Sequence, residues 1–130
     1  MKLAGKMLII TIAGMLFVLA HEGGHYMAAA SFGLNPSITF SDAGNGLSGF
    51  SIGVTHAPAS MIQDYLIIMA AFIIPLFCAL YFGMLYSLSG SEALWLLSAV
   101  FVVLIIATLL PFPGMQEMDS NRIFSALLAV

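Results

Sequence analysis

The length of its apolar runs constrains this 130-residue chain more than any other feature. Residues 7–32, 61–88 and 92–110 are apolar almost throughout, and about 20 such residues suffice to cross the hydrocarbon core of a bilayer. Hydrophobic residues make up 62% of the chain and charged residues 7%. Ordinary soluble domains have roughly 45–50% and 25%. Nine Lys, Arg, Asp and Glu side chains cannot cover the surface of a water-soluble domain this size. The expectation is an all-α membrane protein with about three transmembrane helices, the last broken by prolines, and a small β-hairpin after the first helix. A single integral membrane core spans residues 1–130.

Composition also removes several functions. Three basic residues and a net charge of −3 cannot neutralise a run of phosphates, which excludes nucleic-acid partners. Cys78 is the one cysteine, so the chain has no internal disulfide and no cysteine-rich metal site. The start, Met1-Lys2-Leu3-Ala4-Gly5-Lys6 ahead of an apolar run, resembles a signal peptide. The run continues past residue 30 and contains His21 and His25, which favours a retained helix. Lys2 and Lys6 are too few to set orientation by the positive-inside tendency.

Gly33-Leu34-Asn35-Pro36 reads as the stop of the first helix. Between residues 37 and 56 the pattern changes to alternation: Ser37-Ile38-Thr39-Phe40, a turn signal at Asp42-Ala43-Gly44-Asn45-Gly46, then residues 47–54 with Phe50, Ile52 and Val54 on one side. Exposed strand edges are not tolerated in hydrocarbon, so a hairpin here belongs at the interface or in a protein-lined cavity. The second run has Pro75 at its centre, and residues 87–91 form a short turn. The third run meets Pro111-Phe112-Pro113-Gly114, where a regular helix cannot continue. The tail, residues 123–130, is too short to span alone and continues helix three after the break. The nine methionines read as packing filler, Ala28-Ala29-Ala30 and Gly83 as close helix contacts, and Trp95 as an interfacial anchor.

His21-Glu22-Gly23-Gly24-His25 fits H-E-x-x-H. On a helix, positions i and i+4 share a face, so both imidazoles can reach one ion. Glu22 can then act as general base on a metal-activated water. At this chain's His and Glu frequencies a chance match is expected about 0.002 times. Two imidazoles and a carboxylate within five residues of a spanning helix are costly in lipid, and such residues are functional candidates by default. The plain alternative is that the histidines hydrogen-bond to neighbouring helices while Glu22 pairs with Arg122.

A hydrolytic zinc site usually has three protein ligands and an open position. The third ligand could come from Asp42, His56, Asp64, Glu92, Glu117 or Asp119. Asp64 and Glu92 lie near helix ends, where a solvated charge is ordinary. Asp42 suits a turn cap, and His56 is a loop histidine held in reserve. Asp119 follows a proline-broken stretch at membrane depth, where irregular backbone must line a cavity or be buried in protein.

These residues resemble the site-2 protease family of intramembrane zinc metalloproteases in three blocks. The first is His21-Glu22-Gly23-Gly24-His25. The second, Ile74-Pro75-Leu76-Phe77-Cys78, is similar to the family's G-P-L-x-N segment. The third, Leu110-Pro111-Phe112-Pro113 with Asp119-Ser120-Asn121-Arg122-Ile123, is similar to L-P-x-P followed by L-D-G-G-R-I. The resemblance implies one Zn²⁺ per chain held by His21, His25 and Asp119, with Glu22 as catalytic base. It also implies that the hairpin is a membrane-associated element holding substrate, the plain alternative being a hairpin that only plugs the cavity mouth. The chain departs from the family in a longer Pro113–Asp119 spacing, which makes Glu117 a rival ligand. Cys78 and Thr108 stand where the family has asparagine, and Ser120 where it has glycine.

The implied activity is hydrolysis of peptide bonds in membrane-embedded protein or peptide substrates, by a multi-pass protein of the cell membrane in contact with lipid. The alternative is a catalytically inactive zinc-binding scaffold or regulator of the same fold. A small metal transporter is a weaker third reading, because the other helices lack a relay of His, Asp or Glu.

Overall fold

The computed structural model describes residues 1–42 and 50–110. Three helices and one antiparallel hairpin follow in the order α1 (Leu3–Ser31), β1 (Ser37–Asp42), β2 (Phe50–Thr55), α2 (Met61–Ser89) and α3 (Glu92–Leu109). All three helices are long and apolar enough to cross a membrane. At 1.5 Å per residue, the 29 residues of α1 and of α2 extend about 43 Å and the 18 of α3 about 27 Å.

Helix ends follow local chemistry. Gly33 (φ +70°) closes α1 in a Schellman arrangement, with Leu34 N–H donating to the Ala29 carbonyl (3.0 Å) and Gly33 N–H to that of Ala30 (2.9 Å). A reciprocal capping box starts α2: Gln63 N–H donates to Ser60 Oγ (3.3 Å), and Ser60 N–H donates to Gln63 Oε1 (3.0 Å). Helix α2 runs on to Ser89, further than the expected turn at 87–91 allows, and ends at Gly90 (φ +65°). The last helix ends at Leu109. Leu110 is extended (φ −77°, ψ 132°), as the residue before a proline must be. The expected proline break and tail, residues 111–130, lie outside the described residues.

The chain divides into two compact units, Leu19–Ile74 and Met1–Val18 with Pro75–Val130. In the first, the hairpin ladder runs from Ser37 opposite Thr55 to Asp42 opposite Phe50. Ser37 Oγ and Thr55 Oγ1 share a hydrogen bond (2.9 Å), and Thr39 Oγ1 donates to the Gly53 carbonyl (3.1 Å), so this face is polar. Ile38 pairs with Val54 and Phe40 with Ile52 on the apolar face. Residues 47–49 of the expected second strand lie outside the described residues. Ala57 N–H donates to the Leu34 carbonyl (2.9 Å), which ties the hairpin's two connections together at its base.

In the second unit, Phe101 is almost wholly buried, edge-on to Phe17 (5.7 Å, 74°) and Phe82 (5.7 Å, 69°). Ser98 Oγ donates to the Ala79 carbonyl of α2 (2.9 Å), beside Gly83, where a Cβ would stand 3.3 Å from that hydroxyl. Lys6 Nζ meets Glu92 Oε1 at 2.5 Å and sets the starts of α1 and α3 side by side. Buried Pro75 continues α2 without an N–H for the Ala71 carbonyl.

The outward surface is apolar. Leu3, Leu19, Phe77, Leu80 and Val103 are all more than 60% exposed, a distribution that suits a lipid solvent and not water. All seven described methionines are exposed, so these are not the packing filler that their scatter suggested. A flexible unbranched side chain on that surface can adapt to mobile acyl chains.

Candidate metal centre

Helix α1 carries His21, Glu22 and His25 within one continuous helical run. A glycine pair in a helix interior costs about 1 kcal/mol per residue relative to alanine. The structure gives Gly24 a packing reason that offsets this cost. A Cβ at Gly24 would lie 2.5 Å from the Ala70 carbonyl oxygen, 2.7 Å from Ala71 Cα and 2.9 Å from the Ala70 carbonyl carbon. Only glycine permits α2 to approach α1 this closely. Gly23 has nothing within 4 Å of the same position, so the two glycines play different parts.

One turn apart, the imidazoles of His21 and His25 have centroids 5.0 Å apart and planes at 90°. Two imidazoles on one tetrahedral zinc, with Zn–N of roughly 2.1 Å, place their centroids about 5 Å apart. The observed centroid separation is of that size. Both histidines and Glu22 are half-buried. The Nδ1 atom of His21 is buried. The ring of Phe72, from α2, stands 5.3 Å from the His21 ring at 82°, so His21 has a perpendicular ring toward His25 and another toward Phe72.

The expected third ligand, Asp119, and its rival Glu117 lie outside the described residues, as do Ser120 and Arg122. Among the described residues no group of three His, Cys, Asp or Glu side chains is placed to hold one ion. Three of the other candidates, His56, Asp64 and Glu92, are engaged elsewhere. His56 Nδ1 is 2.8 Å from the Ala57 carbonyl and its Nε2 3.9 Å from Asp64 Oδ1. Glu92 is held by Lys6 and by the amino group of Met1 (2.8 Å). Asp42 ends β1 opposite Phe50. Cys78 is a half-buried free thiol. Thr108 turns its hydroxyl back to the Leu104 (2.9 Å) and Ile105 (3.0 Å) carbonyls of its own helix.

Two features of this site are not evident from the motif alone. Phe72 has no signal in the chain beyond being one apolar residue among many. The Gly24 contact has a weak one, the small pair Ala70-Ala71 in a second helix, of the type that lets helices approach closely. No protein-family model, curated protein or solved structure matches this chain.

Proposed function

We propose that the chain is a multi-pass membrane protein of the cell membrane. In this reading it is an intramembrane zinc metalloprotease of the site-2 protease type, with His21, His25 and Asp119 as metal ligands. The observation that carries the reading is the perpendicular imidazole pair, 5.0 Å apart, on a helix apolar enough to cross a bilayer. Glutamate beside the first histidine adds the base that hydrolysis needs and that metal storage does not.

Zinc bound there would supply a Lewis acid that activates water at neutral pH. Glu22 would take the proton of that water and deliver it to the leaving amine, and Asp119 would complete the ligand set. Substrate backbone must be extended at the cut, because a helix ties up its carbonyls in i→i−4 bonds. Among the described residues each hairpin strand has one ladder neighbour, so β2 (Phe50–Thr55) has an edge that suits strand addition by a substrate segment. A second reading, a zinc-holding scaffold without activity, draws on Cys78, whose thiol lacks the amide expected at that position.

Glu22→Gln tests this directly. Wild type and variant, reconstituted in bilayers with a model transmembrane peptide in heavy-oxygen water, are compared by mass spectrometry. The proposal expects heavy oxygen at a new C-terminus for wild type and a loss of about 10²–10⁴-fold for Glu22→Gln, with zinc content retained. Equal cleavage by both removes Glu22 as base. Zinc bound by both without cleavage favours the scaffold.

A further inference from the structure

We propose that Phe72 is a positioning residue for the metal centre: its ring fixes the rotation of the His21 imidazole and so sets the direction in which that ligand presents its nitrogen. The proposal rests on the zinc reading above and extends it to a residue that carries no ligand atom. The χ2 torsion of histidine is broad and roughly two-fold, so burial of the side chain does not by itself fix the ring plane. A metal ligand has to be held within about 0.5 Å and 10–20° of its productive geometry. Most metal-bound histidines achieve this through a hydrogen bond from the far nitrogen to a carboxylate or carbonyl.

Here the geometry offers a second, apolar constraint. The His21 plane is perpendicular both to His25 (5.0 Å, 90°) and to Phe72 (5.3 Å, 82°), so turning the ring about χ2 drives one of its edges toward a neighbouring ring. Phe72 cannot yield, because it is 7% exposed and sits beside fully buried Ala71. Helix α2 lies close at this level, its backbone at Ala70 and Ala71 packed against Gly24, three residues along from His21, so Phe72 is held near the His21 ring. The other buried side chains on this stretch of α2, Ile67, Ile68 and Ala71, are aliphatic. Phe72 is the residue there whose flat face or edge can define a plane. An aliphatic side chain of similar bulk would fill the space and leave the rotation open.

Cobalt(II) binding to the full-length protein in detergent tests this, because the visible absorption of cobalt reports ligand geometry independently of any activity. Wild type, Phe72→Leu, Phe72→Tyr and Phe101→Leu are titrated with cobalt alone, and their unfolding is measured in parallel. The expected result is a loss of about tenfold or more in cobalt affinity for Phe72→Leu, within the roughly 10–100-fold range of outer-sphere changes, with an altered absorption envelope. Phe72→Tyr, which keeps the ring, restores both. Phe101→Leu, which removes the buried ring of the other unit, lowers stability without changing the cobalt spectrum. If wild type binds cobalt and Phe72→Leu is indistinguishable from it, the positioning role is overturned and the zinc reading stands. An equal spectral change in Phe101→Leu also overturns it, since the effect is then general loosening. A wild type that takes up no cobalt overturns both.

Discussion

Replacing Gly24 by alanine, beside the same change at Gly23, separates helix propensity from helix packing within two adjacent residues. Both variants gain about 1 kcal/mol of intrinsic helix preference, because glycine is the poorer helix former. Only one of them meets an obstacle. The new Cβ at 24 stands 2.5, 2.7 and 2.9 Å from backbone atoms of Ala70 and Ala71, whereas that at 23 meets nothing within 4 Å. Ordinary contact begins near 3.4 Å, so α2 must withdraw by up to about 0.9 Å in an interior packed as densely as a crystal. Overpacking of this kind costs about 1–3 kcal/mol, and the obstacle here is main chain, which has no rotamer to escape into. Trimming Ala70 or Ala71 to glycine gives no relief for the same reason. The difference in unfolding free energy between Gly23→Ala and Gly24→Ala in mixed detergent micelles is therefore about 1–3 kcal/mol, with Gly24→Ala the less stable. Retreat of α2 also carries Phe72 away from His21, so Gly24→Ala alone should weaken metal binding. Equal stability of the two variants would falsify the close approach on which this account of the site depends.

Loss of the Ser60 hydroxyl in Ser60→Ala removes half of the capping box and costs about 1 kcal/mol, read as faster amide hydrogen exchange in the first turn of α2. Phe101→Ala empties the aromatic contact with Phe17 and Phe82. In water such a change costs about 3–5 kcal/mol. Lipid removes most of the transfer part and leaves the lost packing, so about 2–3 kcal/mol is expected from unfolding in micelles. Cobalt affinity should not change in that variant.

The helices were legible because their signal is additive: eighteen or more apolar residues identify a span whatever their neighbours do, and the ends at Gly33 and before Pro111 are written in local backbone chemistry. Alternation likewise located the hairpin, with Ile38 and Phe40 opposite Val54 and Ile52. Helix α1 begins at Leu3, four residues before the apolar run, because Lys6 is accommodated inside it by pairing with Glu92. That pairing joins residues 86 apart and has no sequence signature. The two histidines were legible because i and i+4 on one helix are neighbours by construction. Phe72 and Gly24 were not, because their roles depend on which stretch of α2 lies against which turn of α1. Sequence spacing within one element says nothing of that. The methionines show the same limit in reverse, since side chains that pack and side chains that face lipid are equally apolar.

The central claim, a three-ligand zinc centre, is tested most directly by the metal content of detergent-purified protein, wild type beside His21→Ala and Asp119→Ala. The account predicts about one zinc per wild-type chain and loss of most of it in both variants. A wild type without zinc, or zinc that survives the loss of Asp119, would contradict it.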